Sequence, residues 1–350
     1  MTYQSIRPLL FGLDAESAHL LTLKTLRAMA GMPLGKRLLR RLFCVTSPCM
    51  HRRVAGLDFP NPVGLAAGYD KDGRSAGALA CLGFGHIEVG TVTPLPQTGR
   101  PRPRVFRLPA DRGLINRMGF PNPGGRAVAE RISRLDLGPV VLGVSLGKGV
   151  DTPLAEAAAD YVSLLHLFYN RADYLAVNLS SPNTPGLRSL QGARYLEGLL
   201  AALTSARSLN IADSGRVVPL FVKLSPDLAH DDLDQALDIL TDSGVDGVIA
   251  VNTTSSRPGL RSFRAGEEGG LSGQPLEALA LDRVQRIARR AAGRLAVIGV
   301  GGLHGAASVR RMMEAGAVLV QLYTGLVYQG PGLIPSILKE LAAADRKSPA

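Results

Sequence analysis

From about residue 62 onward the chain alternates short apolar runs with amphipathic stretches. The runs cover residues 62–66, 86–91, 140–146, 174–179, 219–224, 247–252, 296–300 and 318–324. Most are continuously apolar or β-branched rather than alternating, the pattern of strands buried on both faces. Stretches with helical periodicity, such as 154–169 and 231–243, separate several of them. Eight such units over about 265 residues match a closed (β/α)8 TIM barrel better than an open sheet. Ahead of them, residues 1–43 read as helical: a short segment near 4–11, a longer one after Asp14 as N-cap, and a third over 35–43. Pro33 and Pro48 mark the breaks. The fold expected is therefore α/β, a (β/α)8 TIM barrel with a small N-terminal helical extension. Its parts are a helical segment over 1–43, a barrel over 44–340 and a tail over 341–350.

In such barrels the groups that do chemistry sit at the C-terminal ends of the strands. Here those ends carry Ala67-Gly-Tyr-Asp-Lys71, Thr91, Ser145 to Lys148, Asn178 to Asn183, Lys223, Asn252-Thr253, Gly301-Gly302 and Tyr323-Thr324. A helix cap or a solvated lysine accounts for any one of these positions, but poorly for the set. The fourth end is the most informative: Asn178-Leu-Ser-Ser-Pro-Asn-Thr-Pro-Gly186. Two prolines remove backbone donors and prevent a helix from starting at once, leaving a rigid loop. Asn178 and Asn183 each donate and accept, which suits a flat heterocycle with carbonyl and N–H edges. Ser181 is the group in this loop suited to moving a proton. An ordinary polar turn is the alternative reading.

Val300-Gly-Gly302 and Tyr323-Thr-Gly325 follow the seventh and eighth runs, where barrels commonly bind phosphate. Gly269-Gly-Leu-Ser-Gly273 reads as another backbone-rich loop, on the sixth connection. Together they suggest a phosphorylated cofactor. No Gly-x-Gly-x-x-Gly follows the first run, so bound NAD is not indicated.

Composition is that of a globular body: 46% hydrophobic, 20% charged, no tryptophan. The formal net charge is +11, and its distribution is informative. Residues 1–53 hold nine Lys and Arg against Asp14 and Glu16, a local charge of +7. A basic, leucine-rich N-terminus suits an anionic membrane surface at least as well as nucleic acid. A merely solvated basic face is the remaining alternative. Cys44, Cys49 and Cys81 are odd in number and lack metal-ligand spacing, which points to a reducing compartment with no disulfide and no metal. Asp14 and Glu16 interrupt any apolar signal segment. Residues 315–338 carry no charge over 24 positions, long enough to cross a bilayer. They also contain Pro331, Pro335 and four glycines, and 318–323 reads as a buried strand, so no span is expected.

Several motifs together resemble one family. Leu65-Ala-Ala-Gly-Tyr-Asp-Lys-Asp-Gly73, Gly90-Thr-Val-Thr-Pro94, Asn116-Arg-Met-Gly-Phe120, the 178–188 loop, Asn252-Thr-Thr254, Gly269-Gly-Leu-Ser-Gly273 and Ile298-Gly-Val-Gly-Gly302 are similar to dihydroorotate dehydrogenase. The basic helical extension and serine at 181 resemble its membrane-associated, quinone-using class. The likeness runs from about Arg7 to Ile337.

It implies a non-covalent FMN held by Ala67, Gly68, Tyr69, Asp70, Lys71, Thr91, Asn178, Lys223, Gly273, Gly302, Tyr323 and Thr324. It implies contacts to dihydroorotate and orotate from Lys71, Asn116, Arg117, Met118, Gly119, Phe120, Asn178, Asn183, Asn252 and Thr253. Ser181 would be the base, helped by a relay water or by Thr184. Lys223 would stabilise the anionic reduced ring. Ubiquinone or menaquinone would enter near His19, Arg107 and Tyr323. The expected setting is peripheral, on the cytoplasmic side of the cell inner membrane, as a monomer without nucleic acid. Three departures stand out: Ser145 where the family usually has Asn, Val251 where it has Thr, and Gly149-Val150 where it has Asn-Lys. Two other flavin barrels compete. The soluble class would have cysteine at 181 and no helical extension; a tRNA-reducing barrel would carry a basic substrate face and a C-terminal helical domain. A non-catalytic membrane-binding module is the third alternative, and it leaves eight polar strand ends unexplained.

Overall fold

The computed structural model describes residues 3–345. Eight parallel strands close into a barrel: β1 (Val63–Leu65), β2 (His86–Val92), β3 (Val141–Leu146), β4 (Tyr174–Asn178), β5 (Leu220–Leu224), β6 (Gly247–Ala250), β7 (Ala296–Val300) and β8 (Leu319–Leu322). They pair in chain order and β8 returns to β1, with Val320 opposite Val63. Every residue of β2, β3, β4 and β5 is buried, as continuous apolar runs require.

Two apolar cores belong to the barrel, and a small third cluster of Phe106, Leu108, Ile115 and Leu271 lies outside its strands. The barrel interior is filled by Val141, Tyr174, Ala176, Phe221, Ile249, Ile298 and Leu319. A hairpin, Arg52–Val54 with Leu57–Phe59, adds Val54 and Phe59 to that core, and Phe59 meets His86 edge-to-face at 5.5 Å. The second core lies between the strands and the outer helices. Helix Ala157–Phe168, for example, buries Tyr161, Leu164, Leu165 and Phe168.

The N-terminal helices α1 (Tyr3–Gly12), α2 (Ala15–Gly31) and α3 (Gly35–Phe43) match the expectation, and Asp14 caps α2 by accepting the Ser17 N–H at 2.9 Å. The extension is docked by charge as well as by packing. Glu16 of α2 takes Arg104 at 2.8 Å and Arg102 at 3.0 Å. Burial opposes ionisation of Glu16, but the two guanidinium groups outweigh it and hold the carboxyl below its usual range. Arg107 donates to the carbonyls of Leu10, Phe11, Leu13 and Asp14, closing the end of α1.

One expectation is corrected. Residues 270–273 are not a loop: Gly270–Gly273 pairs antiparallel with Gly113–Asn116, which pairs with Val105–Leu108, forming a three-stranded sheet over the barrel mouth. The uncharged stretch 315–338 folds as β8 and then as helices Thr324–Gln329 and Leu333–Asp345, the latter running five residues into the expected tail. Residues 346–350 of that tail lie outside the described residues. No helix among the described residues is long and apolar enough to cross a membrane.

Glu16→Gln should be costly. It leaves Arg104, whose side chain is 8% exposed, as a buried charge without its carboxylate. The expected loss is about 3–5 kcal/mol, read as a lower midpoint in urea and a lower Tm. An unchanged melting curve would show that the pair carries no weight.

Candidate active site

The C-terminal ends of the strands surround a cleft with about 1030 Å³ of non-atom space, its open mouth included. That is room for a mononucleotide-sized group with a small planar molecule beside it.

Asn178, at the end of β4, is the hub of one wall. Its Nδ2 donates to Thr91 Oγ1 at 2.8 Å, and its Oδ1 accepts from the Ser180 hydroxyl at 3.0 Å and from Asn252 Nδ2 at 3.2 Å. Asn252 also donates to Ser180 Oγ at 2.9 Å, and its Oδ1 accepts the Thr253 N–H at 2.7 Å. One amide thus ties β2, β4 and the residues after β6 into a single surface.

The loop after β4 is held just as firmly. Ser181 Oγ accepts the Asn183 N–H at 3.2 Å, the local turn that serine makes when the next residue is a proline without a donor. Asn183 Nδ2 reaches the Asn116 carbonyl at 3.1 Å, joining the loop to the three-stranded sheet. Arg188 pins its far end, donating to the carbonyls of Ser180 and Thr253 and to Asp227. Ser181 is buried yet lines the cleft.

Two lysines also line it. Lys71 donates to the Gly68 carbonyl at 2.8 Å, and burial pushes its ammonium down to about 8. Lys223 is buried on β5 without a hydrogen bond to any described residue, and burial lowers its pKa as well. A desolvated ammonium with free donors is suited to an electron-rich ligand.

The opposite rim is backbone. Gly302 has φ +73°, and a Cβ there would lie 2.3–2.8 Å from Glu277. At Gly273 (φ +94°) a Cβ would sit 2.4 Å from the Arg112 carbonyl. The protein's own atoms fill the Cβ direction at both places, so both positions require glycine and present only main chain to the cleft. Ser272 and Thr324 share a hydrogen bond of 2.9 Å on the same rim.

Of the residues singled out by sequence, the cleft brings together Ala67, Gly68, Lys71, Thr91, Asn116, Met118, Gly119, Phe120, Asn178, Ser181, Asn183, Lys223, Asn252, Thr253, Gly273, Gly302, Tyr323 and Thr324. Five others stand apart from its lining. Tyr69 lies between His19 and Tyr323, with ring centroids 4.8 and 5.3 Å away. Asp70 accepts the backbone N–H groups of Arg74 and Ser75, shaping the loop. Arg117 pairs with Glu267 at 2.7 Å and lies over Phe106. Arg107 closes α1 and stacks on Phe11. His19 is held by the Tyr69 carbonyl at 2.8 Å. A carbonyl only accepts, so Nε2 carries the proton; burial and nearby Lys71 push the ring down to about 4, and it is neutral at pH 7.

The three departures fall into place. Ser145 turns to Thr91, 3.0 Å between hydroxyls, outside the cleft lining; Val251 lines the cleft. Lys148 donates to the Gly149 and Thr152 carbonyls and is absent from the cleft lining. Ser272, inside the Gly269–Gly273 motif, lines it too, whereas sequence reading missed Leu276, Leu303 and Gln321. Gln321 alone left a signal, a single amide inside an otherwise apolar run.

Closed parallel strands, a polar mouth and a water-poor pair of lysines define an enzyme of the barrel class. The family profile described as dihydroorotate dehydrogenase matches residues 49–344. This chain belongs to the dihydroorotate dehydrogenase family. It is 48% identical over 344 residues to the dihydroorotate dehydrogenase (quinone) of Acidithiobacillus ferrooxidans, covering 97% of this chain and 94% of that protein. It is 50% identical over 337 residues to the protein of the same name from Chloroflexus aurantiacus, with 94% and 93% covered. Among solved structures, Eimeria tenella DHODH in complex with ferulenol superposes with a TM-score of 0.85 at 34% identity, covering 96% and 95% of the two chains.

Proposed function

We propose that this enzyme oxidises (S)-dihydroorotate to orotate in pyrimidine biosynthesis, with FMN in the cleft and a membrane quinone, ubiquinone or menaquinone, as final acceptor. The observation that carries this reading is the convergence on one cleft of Ser181, four asparagines and two desolvated lysines.

The residues present fit FMN. The rim at Gly273 and Gly302 offers main chain without side chains to a phosphate, Thr91 and Asn178 offer polar atoms, and Lys223 has donors to spare. When bound, FMN supplies the two-electron acceptor for the hydride that leaves C6 of the substrate. Asn116, Asn178, Asn183 and Asn252 match the alternating carbonyl and N–H edges of the pyrimidine ring. Lys71 complements its carboxylate.

Ser181 is the base for the proton at C5. One lone pair of its oxygen is occupied by the Asn183 N–H, which orients the hydroxyl. The serine must pass its own proton on as it receives the new one. The buried hydroxyl of Thr184, just behind the cleft lining, or a water would relay that proton onward to solvent.

The quinone reaches the cleft from the extension. The His19–Tyr69–Tyr323 stack leads from α2 to the cleft rim. Leu9 (76% exposed), Leu20, Leu21, Leu38 and Leu42 face outward beside exposed Lys36, Arg37, Arg40 and Arg41. This combination holds a protein reversibly on an anionic bilayer. We place the enzyme there as a peripheral monomer on the cytoplasmic side of the inner membrane, with residues 1–43 as the membrane and quinone segment.

Ser181→Ala should keep FMN, released into the supernatant by acid, and should keep orotate binding. Rapid-mixing reduction of the flavin by dihydroorotate should slow at least ~10²-fold. Near-normal reduction would move the base elsewhere.

Orotate binding should follow the charge of Lys71, whose folded pKa of about 8 lies below its ordinary value. The cation is complete below that pH and lost above it. Orotate dissociation constants should therefore be flat near pH 6–7 and rise about tenfold per unit above pH 8. Lys71→Gln should flatten the profile; an unchanged rise in that variant would exclude Lys71.

Vesicles with anionic headgroups should bind the intact enzyme, and added salt should release it. Leu9→Ser with Leu20→Ser should weaken binding and slow quinone-dependent reoxidation while leaving flavin reduction by substrate unchanged. Equal slowing of both half-reactions would contradict the assignment.

A further inference from the structure

Beneath the cleft the barrel interior holds a polar cluster that the proposed reaction does not use. Glu88 of β2 is 0% exposed. Its Oε2 accepts from the Tyr174 hydroxyl at 3.0 Å and from Gln321 Nε2 at 2.9 Å, while Oε1 has no partner. Gln321 also lines the cleft, so this amide stands between the carboxylate and the cleft floor. The space is made on purpose by glycine: a Cβ at Gly143 would lie 2.1 Å from Tyr174 Cζ and 2.5 Å from its hydroxyl oxygen.

Two donors on one oxygen suit an ionised carboxylate. A buried carboxylate without an opposite charge is strongly unfavourable. The groups around it leave one candidate for that charge. Tyr174 is neutral, its hydroxyl pushed well above the ordinary range by burial and by Glu88. His86, deeper in the barrel, has no partner on either ring nitrogen and is pushed down by burial to about 3. Lys71, also at the cleft, is held by the Gly68 carbonyl and feels Glu16, Asp72 and Asp70. Lys223 remains. Its neighbours in register on β4 and β6 are the uncharged Asn178 and Ile249. Lys223 lines the same cleft as Gln321, the amide that holds Glu88, and no other carboxylate acts on it: burial drives its ammonium towards neutrality and Glu88 opposes that.

We propose that Glu88 is a positioning residue for the reaction: its carboxylate, braced by Tyr174 and Gln321, is the counter-charge that keeps Lys223 a cation in the cleft that would hold the flavin. The need follows from charge. Before hydride transfer the ring is uncharged, so Lys223 would otherwise be a lone cation at the floor of a desolvated cleft. With Glu88 present the cation is in place before negative charge develops, which is the preorganisation that makes electrostatic stabilisation effective. This inference rests on FMN occupying the cleft.

The test is the midpoint potential of bound FMN against pH, by spectroelectrochemistry on the holoenzyme. Loss of the Lys223 proton appears as a break in that plot, and Lys223→Met should remove it. Glu88→Gln keeps the shape and still accepts from Tyr174 and Gln321, so a merely structural role leaves the break where it was. The counter-charge role moves it down by at least one pH unit, a tenfold change in the proton equilibrium. Glu88→Asp, which keeps the charge, should hold it within half a unit of the wild type. A break unmoved in Glu88→Gln overturns the proposal. If Glu88→Gln loses FMN, recovery of binding at lower pH supports the proposal and loss at every pH overturns it. The ¹³Cε resonance of Lys223 in flavin-free protein, assigned by Lys223→Met, should show the same downward shift in Glu88→Gln. Wild-type protein that never binds FMN sinks the functional reading alone, because this titration then still decides the role of Glu88.

Discussion

Closing eight parallel strands into a ring forces every second residue into one narrow interior, and the rest of this structure follows from how that interior is filled. The ring-bearing side chains of the strands, His86, Tyr174 and Phe221, enter where a neighbouring strand offers glycine. A Cβ at Gly64 would lie 2.1 Å from the His86 ring, one at Gly143 2.1 Å from Tyr174, and one at Gly247 2.7 Å from Phe221. Each glycine and its aromatic partner stand on adjacent strands, Gly64 opposite His86, Gly143 opposite Tyr174 and Gly247 opposite Phe221. The lower barrel is thereby packed solid, with Phe59 against His86. Packing to that density leaves the upper layer, rather than the interior, as the place for a ligand.

The upper layer is polar because the strands end there, and it is rigid because its polar groups satisfy one another. Thr91, Asn178, Ser180 and Asn252 come from three different strand ends and form one hydrogen-bonded patch. Arg188 then clamps the loop that carries Ser181 to the loop after β6. In the role proposed for Ser181, a weak base such as a hydroxyl would gain most from this arrangement, since placement must supply what basicity does not.

The barrel was legible in the chain because strands buried on both faces appear as continuous apolar runs, and all eight runs fall within a few residues of the strands. The three-stranded sheet was not legible. Val105–Leu108 alternates around Arg107, and Gly270–Gly273 carries two glycines, so neither has an apolar run to announce it. At the cleft, sequence contiguity misled in one respect. Tyr69, Asp70 and Arg117 adjoin cleft residues in the chain, but neighbouring residues of a turn or strand point different ways. Glu88 was hidden for the opposite reason. A single carboxylate in an apolar strand gives no pattern, and its meaning depends on Tyr174 and Gln321, 86 and 233 positions away.

The basic charge of the chain separates into two kinds once its partners are known. Arg102, Arg104 and Arg107 serve the fold, taking Glu16 and the end of α1. Lys36, Arg37, Arg40 and Arg41 remain exposed on α3. The same division runs through the buried groups. His19, on the side of the helical extension, is pushed down to about 4, while Lys71, in the cleft lining, keeps its charge to about pH 8. The two oppose each other: the Lys71 charge helps hold His19 neutral. At pH 7 the path from α2 to the cleft rim is therefore lined by an uncharged imidazole and two uncharged phenols, which suits the apolar acceptor proposed above, while the Lys71 cation lines the cleft itself. Burial keeps all three rings uncharged, and the Lys71 charge adds to it only at His19.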